Sequence, residues 1–229
     1  MIRAVVFDFD GVIANTEPLH FQALRDVLAQ QAVALTEAEY YDRYLGYDDV
    51  GAFGAIAADR GVQWDPGHVA RLVARKAARL EALEGAASVL FPGAAAAIRR
   101  MAEECPLGIA SGALRAEIVH ILNREDLAGF FPVVVAAEDT PTSKPAPDPY
   151  LRAVEQMAAA TGLALAPSDC VAIEDSRWGL ESARSAGLRT VGITHTYPAD
   201  TLTCAADTVI SHLDQLTWEL LGKFENVRR

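Results

Sequence analysis

The sequence has few cysteines. It contains three in 229 residues, Cys105, Cys170 and Cys204, which lie far apart and form no CxxC pair. Zinc sites and the disulfide frameworks of small secreted proteins need cysteines that are numerous or closely spaced. The three are therefore interpreted as scattered reduced thiols, which is typical of a cytoplasmic protein.

Long apolar runs and a surplus of positive charge are also missing. Crossing a bilayer takes about 20 apolar residues, and the short apolar run at the N-terminus is broken by Asp8, unlike a signal peptide. We therefore expect a cytoplasmic protein with no membrane partner. The formal net charge is −11, which argues against a nucleic-acid partner because phosphate backbones are bound by clustered Lys and Arg. A small anion is still possible, since one Lys or a metal ion can override the global charge.

Short apolar runs, by contrast, recur along the chain. Six of them are rich in Val and Ile and nearly continuous in hydrophobicity, as are parallel strands covered on both faces. They lie at 4–10, 106–112, 131–139, 170–176, 189–194 and 207–210, and helical patterns lie at 94–104, 113–125, 149–162 and 176–187. Strands that alternate with helices predict an α/β fold with a doubly wound parallel sheet.

The segment 15–85 interrupts this alternation. It shows no convincing strand, and apolar residues recur at helical spacing in 19–31, 48–61 and 68–83. The sequence therefore predicts two domains: an α/β catalytic core formed by 1–14 and 86–229, and an all-helical cap domain inserted at 15–85.

Acidic residues follow two of the predicted strands. Asp8 and Asp10 end the first strand, and Glu174 and Asp175 end the strand at 170–176. Ligands of doubly wound sheets bind beyond the carboxyl ends of the strands, and buried carboxylates are costly unless a cation compensates them. Because no His or Cys cluster accompanies them, an oxygen-only site suited to Mg²⁺ is expected.

The same edge of the sheet offers groups that favour a phosphate. Ser111 supplies a hydroxyl at a strand end, and Gly112 precedes a predicted helix start whose N–H groups favour an anion. Lys144, in the proline-rich TSKPAPDPY segment, supplies a compact positive charge. Together with a metal ion, these residues have the composition of a phosphoryl-transfer site.

The order of these motifs resembles the haloacid dehalogenase superfamily, in particular its phosphatase and β-phosphoglucomutase-like branch with a helical cap. The DxDG motif is Asp8-Phe9-Asp10-Gly11, the Ser or Thr motif is Ser111 in IASG, the KPxPD motif contains Lys144, and the acidic pair is Glu174 and Asp175. The resemblance covers nearly the whole chain, and the helical insertion falls where this branch inserts its cap.

The resemblance implies a mechanism. Asp8 would be the nucleophile that forms an aspartyl-phosphate, and Asp10 the general acid and later the base. Strand periodicity would turn both side chains to one face, and Gly11 would let the backbone turn tightly. Asp8, the Asp10 backbone carbonyl and Asp175 would hold Mg²⁺, with Glu174 contacting the ion directly or through another ligand.

Three residues of the insertion are candidates for substrate contact by resemblance. His20 would orient Asp10 or sense cap closure, Gly46 would lie in the cap loop that meets substrate, and Lys76 would contact substrate. The alternatives are a surface His, a turn between helices and a solvated helix Lys. The remaining histidines form no constellation and are interpreted as structural or surface residues.

The loop after Gly46 bears on the type of reaction. Mutases of this branch carry a basic residue there for the second phosphate of the substrate, whereas this chain has Asp48 and Asp49. We therefore expect a Mg²⁺-dependent phosphatase, monomeric or weakly dimeric, that hydrolyses a small phosphate monoester such as a sugar phosphate or a phosphoglycolate-like acid. The alternative is a β-phosphoglucomutase-like phosphosugar mutase, and a remote one is a catalytically idle binding or regulatory module.

Overall fold

The computed structural model describes residues 1–45, 47, 49–85 and 88–224. The chain divides into two compact units, which we name the α/β unit (Met1–Asn15 with Val89–Arg229) and the helical unit (Thr16–Ser88). The roles of catalytic core and cap that the sequence suggests for them stay predictions. Among the described residues, no helix combines the length and apolar character that a membrane span requires.

The α/β unit is built on a parallel sheet. Its strands pair in the order β3-β2-β1-β4-β5-β6, so β1 lies between β2 and β4. The strands are β1 (Ala4–Phe7), β2 (Leu107–Ala110), β3 (Val133–Val135), β4 (Cys170–Glu174), β5 (Arg189–Ile193) and β6 (Thr208–Ile210). Every residue of β1, β2 and β4 is buried, as expected for central strands covered on both faces. The predicted doubly wound parallel-sheet fold is confirmed.

The first strand is shorter than predicted. It ends at Phe7 rather than residue 10, although the Asp8 amide still donates to the Ile173 carbonyl at 2.9 Å. The chain then turns, because the Phe9 carbonyl accepts hydrogen bonds from Ile13 and Ala14 at 2.8 and 2.9 Å. The prediction that both aspartates belong to the first strand is therefore wrong, since Asp8 follows β1 and Asp10 lies in the turn.

The helical unit contains the three helices that were predicted and one short element that was not. Its helices are α1 (Glu17–Ala29), α2 (Glu37–Glu39), α3 (Asp49–Arg60) and α4 (Pro66–Glu84), and α2 continues into a π-helical turn at Tyr40–Tyr44. Their apolar faces share one buried cluster that includes Leu24, Phe53 and Leu72. The reciprocal side-chain and backbone hydrogen bonds of Thr36 and Glu39 begin α2, and this S/T-x-x-E pattern was the signal that could have predicted it.

The helices of the α/β unit follow the predicted alternation, with ends displaced by one or two residues. They are α5 (Ala94–Ala102), α6 (Arg115–Arg124), α7 (Asp148–Thr161), α8 (Arg177–Ser185), α9 (Ala199–Thr203) and α10 (Trp218–Gly222). The last two were not predicted, because segments of five residues are too short to show helical periodicity.

Candidate active site

Four polar residues are buried at the carboxyl ends of the three central strands. Asp8 follows β1, Ser111 follows β2, Glu174 is the last residue of β4 and Asp175 comes next, and none is more than 8 % exposed. Because β2, β1 and β4 are neighbours in the sheet, their ends meet at one edge. The fold thus brings together residues that are more than 60 positions apart in the chain.

Three of these residues form a compact carboxylate cluster. Asp8, Glu174 and Asp175 each place an oxygen within 4.8 Å of the others. The Lys144 ammonium lies 2.9 Å from Asp8 Oδ1 and 2.6 Å from Glu174 Oε1. One ammonium group against three buried carboxylates leaves an excess of negative charge, and a divalent cation would offset it.

The pKa shifts of these residues follow from this charge imbalance. Burial, followed by repulsion from Glu174, raises the pKa of Asp8 well above its ordinary value. The same two causes raise the pKa of Asp175 to about 6. Burial by itself would lower the pKa of Lys144, but attraction to Asp8 and Glu174 outweighs it and raises this pKa. Lys144 therefore stays cationic, while Asp8 and Asp175 resist ionisation unless more positive charge is supplied.

Both carboxylate oxygens of Glu174 accept hydrogen bonds. Oε1 accepts from the Lys144 ammonium and from the Tyr150 hydroxyl at 2.9 Å, and Oε2 accepts from the Ser176 hydroxyl at 3.0 Å. A Cβ atom on Gly179 would lie 1.7 Å from Oε1, so α8 approaches the carboxylate closely only because residue 179 is glycine. Glu174 is thus a fixed partner of Lys144.

Sequence reasoning missed Tyr150 and Ser176. Tyr150 is completely buried, and the Lys144 ammonium lies 5.3 Å from its ring centroid, within the range of a cation–π interaction. Its position directly after KPAPDP was the available signal. Ser176 caps α8 by accepting a hydrogen bond from the Gly179 amide at 3.1 Å, and a serine just before a helical pattern predicts such a cap.

Gly11 packs directly against the acidic cluster. Its φ is +75°, and a Cβ atom there would lie 2.0 Å from Asp175 Oδ2. Both the left-handed backbone and the lack of space therefore favour glycine. Asp10, just before it, is exposed, and the three clustered carboxylates belong to other residues.

The phosphate-binding candidates lie close to where they were expected, with one difference. Ser111 is buried, and its Oγ accepts from the Ala113 amide at 3.2 Å. Gly112 is exposed, but α6 begins at Arg115, so Gly112 lies in a turn ahead of the helix. The prediction of a helix start immediately after Gly112 is wrong, because Leu114 is still extended.

Two of the three candidates in the helical unit contact each other. The Lys76 ammonium is buried, forms an ion pair with Asp49 and lies 3.1 Å from His20 Nδ1. Burial, followed by repulsion from Lys76, lowers the pKa of His20 to about 4, so the neutral ring accepts from the ammonium. The interpretations of Lys76 as a solvated residue and of His20 as a surface residue are therefore wrong. Gly46 and Asp48 lie outside the described residues.

Comparisons with known proteins show the family to which the chain belongs. The family model for haloacid dehalogenase-like hydrolases matches residues 2–187. The chain belongs to this family of hydrolases. The family resemblance and the prediction of a hydrolase are thereby confirmed.

Individual relatives match over most of their length. Protein CbbY of Rhodobacter capsulatus is 34 % identical over 205 residues, which cover 83 % of this chain and 84 % of that protein. The phosphorylated carbohydrates phosphatase of Thermotoga maritima is 29 % identical over 198 residues, covering 85 % and 86 %. The crystal structure of a CbbY variant from Rhodobacter sphaeroides in complex with xylulose-(1,5)bisphosphate superposes with a TM-score of 0.75 at 25 % identity, covering 94 % of this chain and 96 % of that one.

Proposed function

We propose that this chain is a Mg²⁺-dependent phosphatase that hydrolyses a small phosphate monoester, most simply a sugar phosphate, through an aspartyl-phosphate on Asp8. The observation that carries the proposal is the buried cluster of Asp8, Glu174 and Asp175 with Lys144 bound to two of its members. Two relatives point to the same substrate class, since one is named for phosphorylated carbohydrates and another was crystallised with a sugar bisphosphate.

The acidic cluster fits a magnesium ion by its charge and its donor atoms. Three buried carboxylates exceed the charge of one ammonium, and carboxylate oxygens are the ligands that Mg²⁺ prefers. Asp8, Asp175 and the backbone carbonyl of Asp10 would hold the ion, with Glu174 beside them. When bound, the ion supplies positive charge that offsets the acids and the incoming phosphate.

The first half of the proposed reaction assigns one role to each aspartate of the DxDG motif. An oxygen of the ionised Asp8 attacks phosphorus, and the bond from phosphorus to the ester oxygen of the substrate breaks. Asp10 donates its proton to that oxygen, so the leaving group departs as an alcohol. Lys144, the Ser111 hydroxyl and the Gly112 amide would bind the remaining phosphate oxygens.

The second half restores the enzyme. Asp10, now a carboxylate, removes a proton from water, and the water oxygen attacks phosphorus. The bond between phosphorus and the Asp8 oxygen breaks, and inorganic phosphate leaves. Asp8 is again a carboxylate and Asp10 is again protonated, so no further reactant is consumed.

The helical unit favours a phosphatase over a mutase. Asp49 offsets the charge of the buried Lys76, so this pair offers less attraction to a second phosphate group than a lone cation would. His20 adds no charge, because its pKa is lowered to about 4. Contact of His20, Gly46 and Lys76 with substrate stays a prediction.

A substrate panel tests the proposed function. Wild-type protein is incubated with p-nitrophenyl phosphate, sugar monophosphates, sugar bisphosphates and phosphoglycolate, and released phosphate is measured with Mg²⁺ or with a chelator. We expect release from p-nitrophenyl phosphate and at least one sugar monophosphate, and loss of activity with the chelator. Isomerisation of a hexose 1-phosphate without net release, stimulated by a bisphosphate, would instead establish a mutase. No turnover of any ester would favour an idle binding module.

The raised pKa of Asp175 gives a prediction about metal-free protein. A carboxyl group whose pKa is about 6 when folded and 3.8 when unfolded holds its proton more tightly in the folded state. Its ionisation therefore costs stability as pH rises from about 4 to about 6, on the order of 3 kcal/mol. Without metal, we expect Asp175→Asn to match wild type in Tm near pH 4 and to exceed it at pH 8.

Adding Mg²⁺ at pH 8 should make the Tm of wild type higher than that of Asp175→Asn. At pH 8 the ion is expected to raise the Tm of wild type and to have little effect on Asp175→Asn, because binding to the ionised acid stabilises the folded state. Asp200→Asn, on the exposed face of α9, serves as the control. A wild-type Tm that does not respond to Mg²⁺ at pH 8 would contradict the assignment of Asp175 as a metal ligand.

A further inference from the structure

The loop after β5 contacts the turn that carries Asp10. His195 Nδ1 lies 2.9 Å from the Gly11 carbonyl oxygen. The His195 ring is stacked on the Phe91 ring, with centroids 3.9 Å apart and an interplanar angle of 14°. His195 is thus fixed on one face by an aromatic ring and at one nitrogen by the backbone next to a catalytic residue.

The partner of Nδ1 determines which nitrogen carries the proton. A carbonyl oxygen only accepts hydrogen bonds, so Nδ1 must carry hydrogen and donate. Burial also lowers the pKa of His195, so the ring is neutral at neutral pH. His195 therefore acts as a hydrogen-bond donor with one defined tautomer.

Two backbone hydrogen bonds stabilise the turn. Within it, the Gly11 amide donates to the Ala14 carbonyl at 2.9 Å, and from outside the Phe91 amide donates to the Ile13 carbonyl at 2.9 Å. Phe91 thus holds one side of the turn through its backbone and supports His195 through its ring. The bond from His195 to the Gly11 carbonyl fixes the peptide between Gly11 and Val12, one residue beyond Asp10.

The neighbouring Thr196 contacts the acidic cluster. The Thr196 side chain acts on the Asp175 carboxylate and lowers its pKa, against the larger effects of burial and Glu174. Asp175 in turn packs against Gly11, where no Cβ atom would fit. The loop after β5 is therefore connected both to the Asp10 turn and to the acid that packs against it.

We propose that His195 is a positioning residue for the phosphatase reaction. By holding the Gly11 carbonyl, His195 fixes the turn, and with it the direction in which Asp10 presents its carboxyl group to the leaving oxygen. The inference rests on the proposed function, because it assigns Asp10 the role of general acid.

The role of a positioned acid depends on the leaving group. An alkoxide leaving from a sugar phosphate needs a proton, whereas p-nitrophenolate is stable without one. The value of kcat/KM reports the steps up to and including transfer of the phosphoryl group to Asp8. The later role of Asp10 as a base therefore does not affect kcat/KM. Loss of the His195 hydrogen bond should thus lower kcat/KM selectively for the alkyl ester.

The test compares two substitutions of His195 on two esters. His195→Phe keeps an aromatic ring for Phe91 and removes the donor, whereas His195→Asn keeps an N–H group at the distance of Nδ1 from the backbone. For a sugar phosphate, we expect His195→Phe to lower kcat/KM about 10- to 100-fold, because it removes part of the rate enhancement that general acid catalysis usually provides. For p-nitrophenyl phosphate the loss should stay below about 3-fold, and His195→Asn should recover most of the activity.

Two further measurements sharpen the test. Adding His195→Phe to Asp10→Asn should cause no additional loss on the sugar phosphate, because residues that act through one another are not additive. His120→Phe, at an exposed position of α6, is the matched control and should match wild type on both esters. Nitrogen NMR of wild-type protein should show the His195 proton on Nδ1.

Each contrary result overturns the inference. Equal losses on both esters would mean that His195 only supports the fold, and additive losses with Asp10→Asn would separate the two residues. A proton on Nε2 of His195 alone would overturn it without any variant, even if His195→Phe did not fold. Wild-type protein inactive on both esters would overturn the proposed function and the inference together, whereas the other outcomes leave the proposed function standing.

Discussion

Replacing Asp8 with asparagine is expected to lower kcat by about 10⁴-fold or more, because loss of a nucleophile removes the covalent route entirely. An amide cannot attack phosphorus as a carboxylate does. The effect should appear with every ester that the wild type hydrolyses, p-nitrophenyl phosphate included.

The fold should survive this substitution. Asp8 Oδ1 accepts from the Phe9 amide at 2.7 Å and lies 2.9 Å from the Lys144 ammonium, and an asparagine oxygen can keep both contacts. One buried charge also disappears from a cluster in which burial already raises the pKa of Asp8. We therefore expect the metal-free Tm at pH 8 to equal or exceed that of wild type.

The measurement combines turnover with a search for the intermediate. Rapid acid quench of wild-type protein with radiolabelled substrate should trap label on the chain, and Asp8→Asn should trap none. Mass spectrometry must first confirm that asparagine 8 has not deamidated to aspartate. An intact variant that keeps a tenth of wild-type activity would remove Asp8 from the nucleophile role.

Replacing Lys144 with methionine should have the second largest effect, on activity and on stability. The substitution keeps the length of the side chain and removes the ammonium that contacts Asp8 and Glu174. Removing one partner of a buried ion pair typically costs about 3–5 kcal/mol. Loss of a positive charge aimed at phosphate is expected to lower kcat/KM by about 10³-fold.

The stability effect should depend on pH. At low pH Asp8 and Asp175 take up protons, because burial raises the pKa of Asp8 and, with repulsion from Glu174, that of Asp175 to about 6. Denaturant titration without metal should therefore show a small deficit for Lys144→Met near pH 5 and a larger one at pH 8. Lys223→Met, at an exposed position, is the control. A deficit independent of pH would mean that Lys144 contributes packing alone.

The predictable part of this protein is the part encoded by local patterns. Short apolar runs marked the strands, and polar residues at their ends marked the site, since the topology of a parallel sheet brings strand ends to one edge. Asp8, Ser111, Glu174 and Asp175 were found in this way. The prediction failed where local geometry decides: β1 stops at Phe7, and Asp10 lies in the turn after it rather than in the strand.

Side-chain contacts between segments that are distant in the chain could not be predicted from the sequence. The contacts of Lys76 with Asp49 and His20 depend on which side chains meet after folding. His195 is the clearest case. It lies 184 positions from Gly11, and an isolated histidine after the fifth strand carries no motif.

The sequence by itself determined the parallel sheet through its apolar runs, and it indicated the family through the order of its four motifs, because both are properties of short segments. Only the tertiary structure decided that Lys144 contacts both Asp8 and Glu174, and that the loop after β5 binds the turn that carries Asp10. Charge balance and hydrogen-bond direction depend on distances between atoms, and those distances exist only once the chain has folded.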